Sequence, residues 1–416
     1  MSRSFSRAFA VAVALAAVAL PALASEQDAI AISNTIQQRH MPNGTVIDPI
    51  FASASSQQIV AYTRGADSAI WTGHYLAAEA FRYKVTGSPD ALANVWSALN
   101  GIHSLRVVTG SGFLSGSGLL ARCLMPTDWP FASSIMHEEA GHGIFNGTVD
   151  GKSYFWVGGT SRDQYSGVFF GLGVAYDMVD DASVRSFIRD EVTALLNFLL
   201  NNDWAVIMPD FSISTVFWGR ADQQLSFLQV GRTVNPDAFE SVYEAYRSKY
   251  ALLVAAPIAI ECLDDYGSYF KFNLDEINLY NLVRLEDTRK NRKRYMAAYK
   301  ILRATIQNHG NAHFNMVDNG LRGPDSTRDA ETVALLEDWL RRPRRDVFVD
   351  NTGKYPSCGS GRACNPIPVH DRIPTDFLWQ RNPFDLVGGG AGTIESAGVD
   401  YILPYWMGRF YQVISG

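Results

Sequence analysis

Two aspartates stand where a polar residue gives way to a long apolar stretch: Asp67 before Ser68-Ala69-Ile70-Trp71, and Asp163 within Ser161-Arg162-Asp163-Gln164-Tyr165. Two carboxylates flanking a glycosidic bond, one protonated and one ionised, are what acid-assisted hydrolysis requires. Aspartate is also a favoured helix N-cap, so each has a purely structural alternative. Arg162 and Arg220 are candidate clamps for an oxygen-rich substrate, or partners for nearby acids.

A second set lies in Asn308-His309-Gly310-Asn311-Ala312-His313-Phe314-Asn315. Elimination from a uronic acid sugar needs His or Tyr to take the C5 proton, and Asn, His or Arg to neutralise the carboxylate. Asn308, His309, Asn311, His313, Tyr165 and Arg220 would supply those parts. The i, i+4 spacing of His309 and His313 also puts two imidazoles on one helix face, as zinc sites do. No glutamate completes an H-E-x-x-H motif and Gly310 weakens the turn, so hydrogen-bonding histidines are expected, with no metal and no cofactor. His137 and His142 are the other close pair. Among the aromatics Trp71, Tyr75, Trp156, Tyr165, Trp218, Trp379 and Trp406, stacking on sugar faces competes with filling a core. Trp156 and Trp379 fall in long loops and are the better subsites.

The elements that must position these residues are helical. Apolar stripes near a period of 3.6 predict helices at 26–39, 67–84, 89–109, 162–180, 182–202, 213–232, 235–256, 272–286, 289–308, 310–320, 327–342 and 393–413, with very few strand-like runs. Gly87-Ser88-Pro89, Asp180-Asp181 and Asn235-Pro236 punctuate tight turns between neighbours. Pairing the first helix with the last gives six hairpins. The helices starting near 67, 162 and 393 are rich in aromatics and glycine with little charge, as in Gly167 to Gly173, and read as inner; those at 89, 182, 235, 289 and 327 carry charge on one face and read as outer. Gly167 and Gly171 read as a close helix contact. Two long segments, 110–160 and 343–392, are expected to form walls over one rim.

Asp67 to Tyr75, Ser161 to Gly167 and Glu395 to Tyr401 each look like the polar head of an inner helix. With six hairpins, this pattern resembles the (α/α)6 toroids of the six-hairpin glycosidase superfamily and of several polysaccharide lyases. The resemblance implies an all-α (α/α)6 toroid with a cleft where the inner helices begin, often lined by aromatics that stack on sugars; Trp71, His74 and Glu395, on these heads, are candidate substrate-binding residues beside Asp67 and Asp163. Gly73-His74 followed by Val85-Thr86-Gly87 is also similar to a helix of the exported, toroidal linalool dehydratase-isomerase family, which implies catalysis by His74. That family's cysteine pair has no counterpart, since Cys123 stands alone.

Composition narrows the class. Met1–Arg7 is basic, Ala8–Leu20 is apolar and Ala22-Leu23-Ala24 offers a signal peptidase site, so residues 1–24 are expected to be a signal peptide of a periplasmic or secreted protein. Their removal takes Arg3 and Arg7 from 36 basic and 42 acidic residues, leaving 34 against 42 and a formal charge of −8. That excess argues against nucleic-acid binding. No later run is long enough to span a membrane; Ala251–Ile260 comes nearest. Cys358 and Cys364, at C-x5-C spacing, suit a small disulfide loop better than a metal or redox pair. The expectation is one domain, 25–416, of an exported enzyme that hydrolyses glycosidic bonds in a poly- or oligosaccharide. A uronic acid polysaccharide lyase and a non-catalytic glycan-binding toroid are the alternatives.

Overall fold

The structure, a computed structural model, describes residues 24–110, 118–264, 267 and 269–415. Residues 1–23 of the expected signal peptide and residues 111–117 of the first long segment therefore lie outside the described residues. Among the described residues, fourteen α-helices and nine strands follow in chain order. They begin with α1 (Glu26–Thr35), β1 (Asp48–Phe51), β2 (Ile59–Thr63), α2 (Ser68–Thr86) and α3 (Pro89–Val107). Next come β3 (Leu124–Pro126), α4 (Ala132–Glu138), β4 (Ile144–Val149), β5 (Lys152–Val157), α5 (Arg162–Met178) and α6 (Ala182–Asn201). The middle holds β6 (Ala205–Ile207), β7 (Ile213–Val216), α7 (Ala221–Val234), α8 (Pro236–Tyr250), α9 (Ala255–Glu261), α10 (Phe270–Arg284) and α11 (Arg289–Ile306). The chain closes with α12 (Ala312–Arg322), α13 (Ser326–Trp339), β8 (Arg345–Asp350), β9 (Val387–Glu395) and α14 (Val399–Phe410).

Local chemistry sets the hairpins. Gly87 ends α2 at φ 63°, a left-handed value that suits glycine, and Pro89 opens α3 with no N–H to lose. Ser161 and Gln164 form a capping box at the head of α5, and the Asp181 side chain accepts from the Val184 N–H to start α6. Every residue of α2 from Ser68 to Arg82 is buried, whereas α11 buries only a stripe, including Tyr295, Ala298, Tyr299, Leu302 and Ile306, and turns its basic residues outward. The six well-buried helices α2, α5, α7, α10, α12 and α14 pack in that order, and α14 returns onto α2. Behind them lie α3, α6, α8, α11, α13 and α1, each against the inner helix adjacent to it in sequence or, for α1, against α14. One apolar cluster runs from Ala29 on α1 to Met407 on α14.

The closest helix–helix contact joins α2 to α5. A Cβ on Gly73 would lie 2.0 Å from the Gly167 carbonyl oxygen, and one on Gly171 would lie 2.3 Å from the Gly73 carbonyl oxygen. Gly167 and Gly171 thus serve close packing, as expected. No described helix is long and apolar enough to cross a membrane; Ala251–Ile260 forms a turn and most of α9.

Strand content is the main departure from the expected helices. The 213–232 helix begins only at Ala221, because Ile213–Val216 pairs with Ala205–Ile207. The 393–413 helix begins at Val399, because residues through Glu395 belong to β9. The described parts of both long segments carry strands: the first contains an antiparallel sheet ordered β3-β5-β4, and the second supplies β8 and β9 to a sheet ordered β2-β1-β9-β8. A disulfide joins Cys358 to Cys364 between β8 and β9.

Where β1 meets β9, fully buried His40 lies 3.4 Å from Asp48 and 3.5 Å from Glu395. Burial pushes its pKa down, but hydrogen bonding and charge from Asp48 and Glu395 outweigh burial and raise it above the usual value. A group raised on folding stabilises fully below its unfolded pKa of about 6.5, and that contribution is lost as pH rises through the folded value. His40→Gln is therefore expected to flatten the fall in stability between about pH 6 and pH 8. Urea unfolding midpoints at the two pH values test this, and an unchanged slope would remove His40 as its source.

Candidate active site

At the head of α2 the chain makes a short 3-10 turn, Gly65–Asp67, entered from Arg64 at φ 62°. Asp67 occupies the N-cap position of α2 yet makes no capping hydrogen bond with its side chain. Its carboxylate instead accepts from Gln380 Nε2 at 3.3 Å and stands 3.9 Å from Arg122 Nη1. Asp163 is the second residue of α5, where Ser161 has already taken the capping role, so its carboxylate is also free of that duty. Because α2 and α5 touch backbone to backbone at Gly73 and Gly167, their heads, and with them the two aspartates, are brought to one place.

The two aspartates line a cavity of about 330 Å³ together with Ile70, Trp71, Phe270, Asn273, Leu274, Asp376 and Gln380. Ile70, Trp71, Phe270 and Leu274 give it an apolar wall, and Asp67, Asp163, Asn273, Asp376 and Gln380 supply its polar groups, the mixed lining of a small-ligand site. The two long segments meet here. The first supplies Arg122, which is fixed by donating to the Gly159 and Ala66 carbonyls, and the second supplies Asp376 and Gln380.

The carboxylates are electrostatically unequal. Burial raises the Asp67 pKa to about 6; Arg122 opposes this, while Asp163, Glu139 and Asp376 add to it. Its side chain is still 36% exposed, so it is accessible from the cavity. Asp163 is raised by burial as well, with Arg122 and Arg162 opposing. Burial also pushes Asp376 up, but Arg64, the Thr375 hydroxyl and Arg381 outweigh it and hold Asp376 below the usual carboxylate range. Glu139 is tied to the site from behind, accepting from the Ala66 N–H at 2.8 Å and pairing with His142. Near pH 5 the cavity therefore holds a protonated Asp67 and an ionised Asp376, the division of labour that acid–base catalysis needs.

Of the residues singled out in the sequence, Asp67, Asp163 and Trp71 line this cavity, and Arg162 opens α5 beside Asp163. His74 is fully buried behind it. The structure corrects the placement of the others. Tyr165 is buried, with its hydroxyl bonded to the Leu120 N–H and the Gly118 carbonyl, so it reaches no substrate. Trp156, in β5, is 1% exposed and stacks on Phe145; Trp379 is fully buried against His74. Both fill core instead of forming subsites. Trp218 is exposed, but in a separate depression with Trp204, Tyr246 and Tyr250. Arg220 is consumed by ion pairs with Asp222, Glu261 and Asp275. Glu395 ends a strand and pairs with Arg39, His40 and Arg345.

The histidine cluster is also broken up. Gly310 takes φ 58° and Asn311 caps α12, accepting from the His313 and Phe314 N–H groups, so the helix begins between His309 and His313 and they share no helix face. Asn311 is spent on that cap, and neither histidine lines the cavity. Among the described residues no three of His, Cys, Asp and Glu are grouped as metal ligands.

Among solved structures the chain is similar to cellobiose 2-epimerase from Spirochaeta thermophila DSM 6192. The likeness has a TM-score of 0.44 and 9% identity, and covers 93% of this chain and 96% of that chain. No family model and no curated protein matches the sequence. A likeness at that score carries no argument about chemistry, which rests on the cavity. Sequence reasoning missed Asp376, Gln380, Arg122, Asn273 and Phe270. Only Trp379 drew attention to the segment Thr375-Asp376-Phe377-Leu378-Trp379-Gln380, and it is the neighbours of that tryptophan that face the cavity.

Proposed function

We propose that this cavity is the active site of an exported carbohydrate-active enzyme that hydrolyses glycosidic bonds, set in an (α/α)6 toroid formed by the cyclic packing of the six inner helices. The observation that carries the reading is Asp67: an N-cap aspartate whose carboxylate makes no cap, lines a cavity and is pushed up to about 6 by burial, in the same cavity as an Asp376 held below the usual carboxylate range. Asp67 donates its proton to the glycosidic oxygen as the bond to the anomeric carbon breaks. Asp376 stabilises the positive charge developing on the sugar and either takes a proton from the attacking water or attacks the anomeric carbon itself. Asp163, whose pKa burial raises, is less readily ionised than Asp376; when ionised, its charge helps Asp67 keep its proton. Trp71 and the aliphatic wall exclude bulk water and pack on apolar sugar faces. Export is supported by the amino-terminal sequence pattern and by the Cys358–Cys364 bond, which suits an oxidising compartment.

The test is to incubate the purified chain with a panel of neutral and uronic acid oligo- and polysaccharides, reading reducing ends and ultraviolet absorbance together. Reducing ends without absorbance are expected. Absorbance rising with the reducing ends would replace hydrolysis by β-elimination, and binding without either signal would make this a glycan-binding protein.

A further inference from the structure

Behind the cavity wall, a residue on α2 and one on α10 determine each other's hydrogen-bonding roles. His74 Nδ1 lies 2.9 Å from the Ile70 carbonyl oxygen. A carbonyl oxygen can only accept, so Nδ1 carries the proton. Burial holds the imidazole pKa down to about 4, against the bond to the Ile70 carbonyl, which favours protonation. At neutral pH the ring therefore has no second proton, and Nε2 is a bare acceptor. Trp379 stacks on the ring with centroids 5.0 Å apart, and Trp71, Phe170 and His313 enclose it, so it has no room to turn over.

Both amide atoms of Asn273 lie near Nε2, the nitrogen at 3.1 Å and the oxygen at 3.4 Å. Only the nitrogen can bond to a bare acceptor. Asn273 Oδ1 is then left without a donor among the described residues, in a side chain 1% exposed that lines the cavity. A buried acceptor with no donor is costly and gains strongly from one.

We propose that His74 is a positioning residue that fixes the Asn273 amide, so that Asn273 Oδ1 is a specificity determinant accepting a hydrogen bond from a hydroxyl of the bound ligand. His74 then acts through its tautomer and transfers no proton. That the hydroxyl belongs to a sugar rests on the proposed function; the tautomer and the amide orientation do not.

Nitrogen-15 NMR of the histidine-labelled full chain tests the tautomer without any substrate. The resonance pair lost in His74→Phe, or in His74→Gln if the first variant does not fold, is expected to show a protonated Nδ1 and an unprotonated Nε2, unchanged from about pH 5.5 to pH 8. A protonated Nε2 would overturn the proposal. In kinetics, Asn273→Leu is expected to raise KM by about tenfold or more with kcat within about threefold. His74→Phe should move KM in the same direction by less. An unchanged KM in Asn273→Leu would remove the specificity role while leaving glycoside hydrolysis standing. Absence of turnover in the wild type would remove glycoside hydrolysis, and the NMR result would still decide the amide orientation.

Discussion

Asp67→Asn is expected to lower kcat/KM by about 10²–10⁴-fold on whichever glycan the wild type cleaves, the range associated with loss of a general acid. Asparagine keeps the size and can still bond Gln380, but it has no proton to give. The pH profile should identify the group as well as the magnitude. An acid catalyst works in its protonated form, so wild-type kcat/KM should fall as pH rises through about 6. The acid limb should lie below the usual carboxylate range, where Asp376 takes up its proton. In Asp67→Asn the residual rate should lose the alkaline limb and keep the acid one. Stability gives a control of opposite sign: a carboxyl whose pKa is raised on folding is ionised at neutral pH at a cost to the fold, so Asp67→Asn should not lower the melting temperature at pH 7. Turnover at the wild-type level would sink the assignment, and a rate loss accompanied by unfolding would attribute the effect to structure.

Gly73→Ala is expected to cause a large loss of stability from a single methyl group. The new carbon would meet the Gly167 carbonyl oxygen at 2.0 Å, the Gly167 carbonyl carbon at 2.4 Å and the Val168 nitrogen at 2.9 Å. All three are backbone atoms, so no rotamer change relieves the overlap and the helices themselves must separate. Overpacking usually costs about 1–3 kcal/mol, and this contact belongs at or beyond the upper end. The same shift would move Asp67 relative to Asp163, and displacements of about 1 Å at catalytic groups can cost about 10²-fold in rate. Thermal unfolding and kcat measured on one preparation test both effects, with Gly141→Ala, where a Cβ meets nothing within 4 Å, as the control. A melting temperature unchanged in Gly73→Ala would show that the two helices are not locked together there.

The helices were legible because their signals are local. The stretch 162–180 became Arg162–Met178 and 182–202 became Ala182–Asn201, each set by a cap and a stripe within its own segment. The strands were not, because their partners are remote: Ile50 pairs with Ile394, and no periodicity within either segment announces the other. Asp67 and Asp163 were found because they head apolar runs. Asp376 was not, because Pro374 to Arg381 follows no helical or strand period. His309 and His313 looked paired only while Gly310 was read as helical. Trp156 and Trp379 looked like subsites only while their segments were read as open loops, whereas those segments are folded onto the core.

The Ile50–Ile394 pairing also bears on the order in which a growing chain can become a protein. The β1–β2 hairpin is complete early, but one edge of β1 waits for β9, 344 positions later. At about 5–20 residues per second, that edge stays unpaired for about 20–70 s of synthesis. During that time it is open to any other strand, including the same hairpin on a neighbouring nascent chain. Asp376 and Gln380 arrive in the same late stretch, so the chain carries this open edge for most of its synthesis and completes its cavity only near the end.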